Sequence, residues 1–453
     1  MKLPLPPKFT LAALGPGLVL IALGLGAGEF ILWPSLVATY GFGVLAGAVV
    51  GITCQYFINT ESLRYPILTG ASVYVGMAKL SKAVPIWFIL STFISFMWPG
   101  IIASAGLIMA HLFGLADSRI VTIVMLILIG LFLSVGGKVY NRLEKVQKFV
   151  LLASLPVLFI IALLLADANA VGSLVQGLVG IGDNYFIFPV GISLAGFLGA
   201  IAYSGAAGNL VISSNFYIQD KGYGNASNVN AQIDPLNLKK ELVTGLEFES
   251  TAENKLLFRS WFRFAAKEQL ISFWLVGIVA ISVLAFIAYQ LLYPNAAAGE
   301  SLNFLFLQGS LLAQRFGQLV GTGFLFIAAI FLFTTQLGIY ETTSRIITEN
   351  LQLLSTNLTA KVARSTIYYI CLWTQVVAAI LITLLNIQQP LQILILGTFF
   401  SAVSMFALAP LLYWFNTSKH LPLGTRPDTF RKVMLILTGL FFGLFVIFTL
   451  LKP

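Results

Sequence analysis

The chain has 453 residues, 58% of them hydrophobic and 9% charged, with a formal net charge of +9; its mean hydropathy is +0.93. Soluble domains carry about 25% charged residues, so this composition excludes a soluble enzyme or nucleic-acid-binding domain and demands a bilayer. No Walker-type phosphate loop occurs, which removes an ATP-driven pump, and nothing in the pattern signals covalent catalysis or a bound cofactor.

Apolar runs predict eleven spans, at 11–38, 44–63, 85–112, 119–137, 148–166, 186–215, 268–293, 303–336, 365–386, 391–415 and 431–450. The first is too long for a cleavable signal and leads straight into further spans. The run 303–336 exceeds one crossing, so a non-spanning helix is expected at its start. Cys54 and Cys371 fall inside spans and read as buried reduced thiols. Everything reads as one membrane domain over 1–453, with a polar cytoplasmic loop at 219–254 that is expected to be mobile. Within that loop, "NAS" at 225–227 matches a glycosylation acceptor, but on the inner side.

Basic residues favour the side of synthesis. With the N-terminus inside, 23 of the 26 lysines and arginines fall in inner segments. The expectation is an integral protein of the plasma (inner) membrane, N-terminus cytoplasmic and C-terminus outside. The positive charge then records topology and contact with anionic lipid headgroups, and no nucleic-acid partner is implied. Lys255, Arg259, Arg263 and Lys267 recur every four residues, predicting a basic amphipathic helix lying at the inner interface before span 7. Glu341 and Arg345 are spaced as an i,i+4 pair at the interface, and Glu268, opening span 7, is expected to be solvated.

Two spans carry weak points. Span 1 contains "LGLGAGEFILWP" (23–34), with glycines at 24, 26 and 28 followed by Glu29. Span 6 contains "AYSGAAGNLVISSN" (202–215), with Ser204, Gly205, Ala206, Ala207, Gly208 and Asn209. Each glycine lowers helix propensity by about 1 kcal/mol relative to alanine. Backbone groups freed at membrane depth then need a cavity, ions or a solute as partners. Close helix packing is the alternative use of such glycines. The breaks lie in the first and sixth spans, as expected for inverted repeats 1–5 (about 11–166) and 6–10 (about 186–415) with an extra helix at 431–450. Paired interrupted spans point to a transporter's substrate site. A carboxylate at that depth is costly and usually functional, so Glu29 is expected to bind a cation or carry a proton.

The chain resembles the Nramp family of proton-coupled divalent-metal transporters. The likeness rests on "GPGLVLIALGLGAGEF" (15–30), "ESLRYPILTG" (61–70), "VYNRLEKVQKFVLL" (139–152) and "FIAAIFLFTTQLGIYETTSRIITENL" (326–351). It implies an all-α, eleven-helix inverted-repeat fold with discontinuous helices 1 and 6. The family's first break reads Asp-Pro-Gly-Asn, whose Asp and Asn ligate metal; here Gly26, Ala27, Gly28 and Glu29 stand there. Its Met-Pro-His in span 6 aligns with Ala206, Ala207 and Gly208, followed by Asn209. Loss of the thioether and imidazole argues against transition metals, because oxygen-only sites suit hard ions.

Two functions follow. The first is a secondary transporter of a divalent metal cation, proton-coupled, with Glu29 and Asn209 as ligands, Glu29 as proton acceptor, and Ser204 and carbonyls near Gly26 and Ala206 completing the shell. The second is an importer of a small organic or anionic solute, cradled by the backbones of Gly26–Gly28 and Gly205–Gly208.

Overall fold

The computed structural model describes residues 2–10, 14–135, 139–229, 245–294, 301–355, 362–385 and 390–451. Lys138, Lys239, Lys240, Lys361 and residues 230–244 of the 219–254 loop lie outside them.

Helical segments occupy all eleven expected spans. Span 1 is α1 (Pro16–Gly24) and α2 (Gly28–Tyr40), bent by 47°. Span 2 is α3 (Phe42–Thr69), span 3 α4 (Ala83–Phe113), span 4 α5 (Ser118–Ser134) and span 5 α6 (Val139–Leu165). A short helix, α7 (Ala168–Leu178), precedes the two-stranded hairpin of β1 (Ile181–Gly182) and β2 (Tyr185–Phe186). Span 6 is α8 (Leu194–Ala202) and α9 (Ser214–Asp220). There follow α10 (Ala252–Leu292), α11 (Asn303–Phe316), α12 (Gln318–Leu354), α13 (Arg364–Leu385), α14 (Pro390–Thr417) and α15 (Thr429–Leu451). Among the described residues, eight helices are long and apolar enough to cross a membrane, nine with the bent α1–α2 pair. The α5 helix, at 17 residues, and span 6, broken into short pieces, fall below that length. The protein is an integral multi-pass membrane protein.

The basic stripe lies on a helix, residues 252–269, that continues through a π-turn at Leu270–Leu275 into span 7. The stripe's neighbours Phe258, Trp261 and Phe264 are buried against protein rather than lipid. Two expectations are corrected. Span 8 is displaced: α11 takes the start of the 303–336 run, and α12 carries the span on to Leu354. A start of span 6 at 186 also fails, because residues 185–193 are hairpin and extended chain. The reason is the same in each case: apolar content marks depth, but Gly317 and the hairpin turn set where helices begin.

The polar loop is ordered at its start, where a 3₁₀ turn (Gly224–Val229) packs on the C-terminal end of α3. Asn225 is fully buried and donates to the Leu68 carbonyl, so the sequon there is sterically closed. Cys54 and Cys371 are both buried and free.

The Glu341–Arg345 pair forms, and both it and Glu268, expected to be solvated, are buried. Arg345 pairs with Asp220 (3.0 Å) and Glu341 (3.5 Å), joining α12 to α9. Glu268 is fully buried. Its Oε1 accepts from the backbone N–H of Gly15 (3.1 Å) and Gly17 (3.0 Å), capping α1 from 251 residues away. The N-terminal segment follows the same helix, with the Leu3 N–H donating to Asn254 and Trp261 donating to the Pro4 carbonyl. Replacing Glu268 by alanine removes an anion and an acceptor from a helix N-terminus. The expected cost is about 1–2 kcal/mol, read as faster amide exchange over residues 15–19 and a lower midpoint of thermal unfolding in detergent.

Candidate functional site

The first break is built by backbone that cannot continue its ladder. The Gly26 N–H turns back to the Gly24 carbonyl (2.5 Å) instead of reaching Ala22. The Ala22 carbonyl is taken by the Thr335 hydroxyl of α12 (3.1 Å). Beyond the break, α2 opens with a π-turn at Gly28–Leu32 that contains Glu29. Such turns are rare and gather at functional sites.

The second break spans residues 203–207, and Gln55 of α3 bridges it. Its Nε2 donates to the Ala202 carbonyl (3.0 Å), and its Oε1 accepts from the Ala207 N–H (3.2 Å). Ala207 has φ +59° and Gly208 φ +47°. The alanine is strained there by about 1–3 kcal/mol, and the Gln55 bond helps hold it.

The breaks touch. A methyl group on Gly24 would strike the Gly205 backbone, one on Gly28 the Tyr203 carbonyl, and one on Gly26 the Thr335 side chain. Gly28→Ala is therefore expected to push the breaks apart at a cost of about 1–3 kcal/mol. A lower midpoint of thermal unfolding in detergent would verify it.

Glu29 is fully buried. Neither carboxylate oxygen has a well-formed hydrogen bond; only the backbone amides of Gly26 and of Glu29 itself act on it. The contrast with the other acids is sharp. Of the six buried glutamates among the described residues, Glu61, Glu144, Glu268, Glu341 and Glu349 all have ion-pair or hydrogen-bond partners. Glu61 has two arginines, Arg64 (2.6 Å) and Arg431 (3.1 Å).

The remaining predicted residues divide. Gly205, Ala206, Ala207 and Gly208 form the buried second break. The Ser204 hydroxyl is occupied, receiving the Trp33 indole N–H (3.1 Å) and donating to the Ala200 carbonyl (3.0 Å). Asn209 turns its amide nitrogen toward span 3, to Ser91 (2.8 Å) and Thr92 (2.9 Å), and leaves Oδ1 unpartnered. No hydrogen bond joins Glu29 to Asn209. Gly26, Ala27 and Gly28 present backbone only. Among the described residues, no group of three His, Cys, Asp or Glu side chains could hold a metal ion.

Sequence reasoning missed Gln55, Thr335, Ser91, Thr92 and Gln336. Gln336 is buried with Oε1 unpartnered. With Ser95, Phe96, Tyr203 and Gly397 it lines a cavity of about 10 Å³, room for about one water.

No family model matches the chain, and no curated protein matches it in sequence. Solved structures do match. A point mutant of a manganese transporter from Eremococcus coleocola superposes with a TM-score of 0.67 at 13% identity, over 98% of this chain and 88% of that one. The same transporter in complex with an aromatic bis-isothiourea substituted compound gives 0.66 at 13% identity, with the same coverage. Mhp1, a nucleobase-cation-symport-1 family transporter in a closed conformation with bromovinylhydantoin bound, gives 0.57 at 13% identity, over 96% of this chain and 89% of that one. The chain has the fold of these transporters. That fold is the all-α inverted-repeat architecture with discontinuous helices 1 and 6, and it places Glu29 and Asn209 on those two helices. The matched proteins are transporters rather than enzymes, and one carries a metal while the other binds an organic ligand, so the fold leaves the cargo open.

Proposed function

We propose that the protein is a proton-coupled secondary transporter of a divalent cation, with cargo passing between the α1–α2 and α8–α9 breaks. Its N-terminus is cytoplasmic and its C-terminus lies outside. The observation that carries this reading is Glu29, a buried acid without a counter-charge at the contact of the two breaks. A carboxylate removed from water and left without a cation is costly, so it is poised to exchange a proton for a cationic cargo. Asn209 and the carbonyls near Gly26 and Ala206 complete the shell. Without thioether or imidazole, that oxygen shell favours hard ions over transition metals.

A second reading, a small organic or anionic solute, is favoured by one observation. Among the described residues the site lacks the three acidic, imidazole or thiol ligands of a dedicated metal cage. Uptake into proteoliposomes tests both, using Mg²⁺, Mn²⁺ and a panel of small amino acids and carboxylates, with and without a pH gradient. The first reading expects Mg²⁺ uptake that the gradient stimulates and that exceeds Mn²⁺ uptake. Mn²⁺ uptake in excess of Mg²⁺ overturns the selectivity, and uptake confined to the organic panel selects the second reading.

A further inference from the structure

The Asn209 side chain is fully buried, and its orientation is dictated from outside. The Ser91 hydroxyl donates its only proton to the Trp87 carbonyl (2.6 Å). Toward Asn209 it can then only accept. Thr92 accepts the second Nδ2 hydrogen. Turning the amide over would set an oxygen against the Ser91 lone pairs and strand two buried donors, so Oδ1 must face away from span 3, unpartnered.

Other bare acceptors belong to the same region. Gln336 follows Thr335, the residue bonded to the first break, and its own Oε1 lacks a partner. Gln336 shares the small cavity with Phe96 and Tyr203. Phe96 lies against Gly208, and the Tyr203 carbonyl lies against Gly28, beside Glu29. The N–H groups of Gly26, Ala207 and Trp33 are already spent. The cavity wall also holds unpartnered N–H groups, those of the Trp98 indole, stacked on Phe400, and of the Gln336 amide, whose orientation no partner fixes. No Lys, Arg or His lines it.

We propose that Ser91 and Thr92 are positioning residues that fix Asn209 Oδ1 as a bare acceptor beside the helix-6 break, and that this oxygen, with Glu29, selects positively charged cargo over anions. The inference rests on the transporter reading and concerns the charge class of its cargo. An anion would meet a carboxylate and a fixed carbonyl oxygen with no cation to offset them. A cation, or the donors it carries, satisfies both.

The test is uptake of Mg²⁺, Mn²⁺, guanidinium and acetate into proteoliposomes by the wild-type chain, S91A/T92A, Ser91→Thr and Asn209→Leu. Wild type is expected to carry at least one of the cations and not acetate. In S91A/T92A the amide is free to turn, so KM for that cation should rise about tenfold with kcat changed less than about threefold. The preference among cations should narrow in the same variant. A merely structural role would lower kcat and leave the preference alone. Ser91→Thr keeps the hydroxyl and restores both values; Asn209→Leu loses uptake at least about tenfold. Acetate uptake by wild type overturns the inference while the protein remains a transporter. Cation uptake with unchanged KM and preference in S91A/T92A also overturns it. A folded wild type that moves none of the four overturns the transport reading itself.

Discussion

In proteoliposomes, Glu29→Gln is expected to abolish the stimulation of uptake by a pH gradient and to weaken cargo binding by about 10- to 100-fold. The amide keeps the shape that packs inside the π-turn, but it can neither release a proton nor offer a full negative charge. A charged hydrogen-bond or ligand partner is worth about 1.5–3 kcal/mol, which gives that range of affinity. Stability should not fall, because the carboxylate has no ion pair to lose; replacing a buried unpaired acid is neutral or stabilising. Unchanged coupling and affinity in a folded Glu29→Gln protein would remove Glu29 from the transport cycle.

The largest loss of stability is expected from Arg345→Met. Arg345 lies in α12, pairs with Asp220 and Glu341, and covers the Phe216 ring at 4.6 Å. Methionine keeps part of the packing but leaves the buried Glu341 and the partly buried Asp220 without their cation. Breaking a buried pair from one side costs about 3–5 kcal/mol. Thermal unfolding in detergent should show it. Adding Glu341→Gln in the same chain should recover part of the loss, because it removes one of the stranded charges. Equal unfolding midpoints for Arg345→Met and wild type would show the pair to be energetically idle.

Much of the architecture was legible because membrane depth writes itself into long apolar runs. The breaks were legible too, since glycine clusters recur in the first and sixth spans, one followed by Glu29 and the other by Asn209. The partners of those breaks were not. Gln55 and Thr335 are single polar residues in apolar helices, 152 and 313 positions from the groups they bond. No local spacing announces such a pairing. The same distance hid Glu268, whose role as a cap depends on α1 lying against the start of span 7. Arg345 was misread for a related reason. Its i,i+4 neighbour Glu341 suggested a local helix pair at the interface, whereas Asp220, 125 residues away, makes the site a junction between two helices. Sequence reveals where a helix must fail; it does not reveal which distant side chain mends it.

Backbone meets backbone where Gly24 rests on Gly205 and Gly28 on the Tyr203 carbonyl. In the proposed transport cycle, occupancy therefore has a prerequisite: the severed rods must first separate, at the expense of those contacts. The apparent dissociation constant equals the intrinsic one divided by the fraction of molecules already parted. Substitutions far from any ligand atom that loosen this seam should tighten apparent binding. Avidity and gating in this molecule are thus two readings of a single equilibrium.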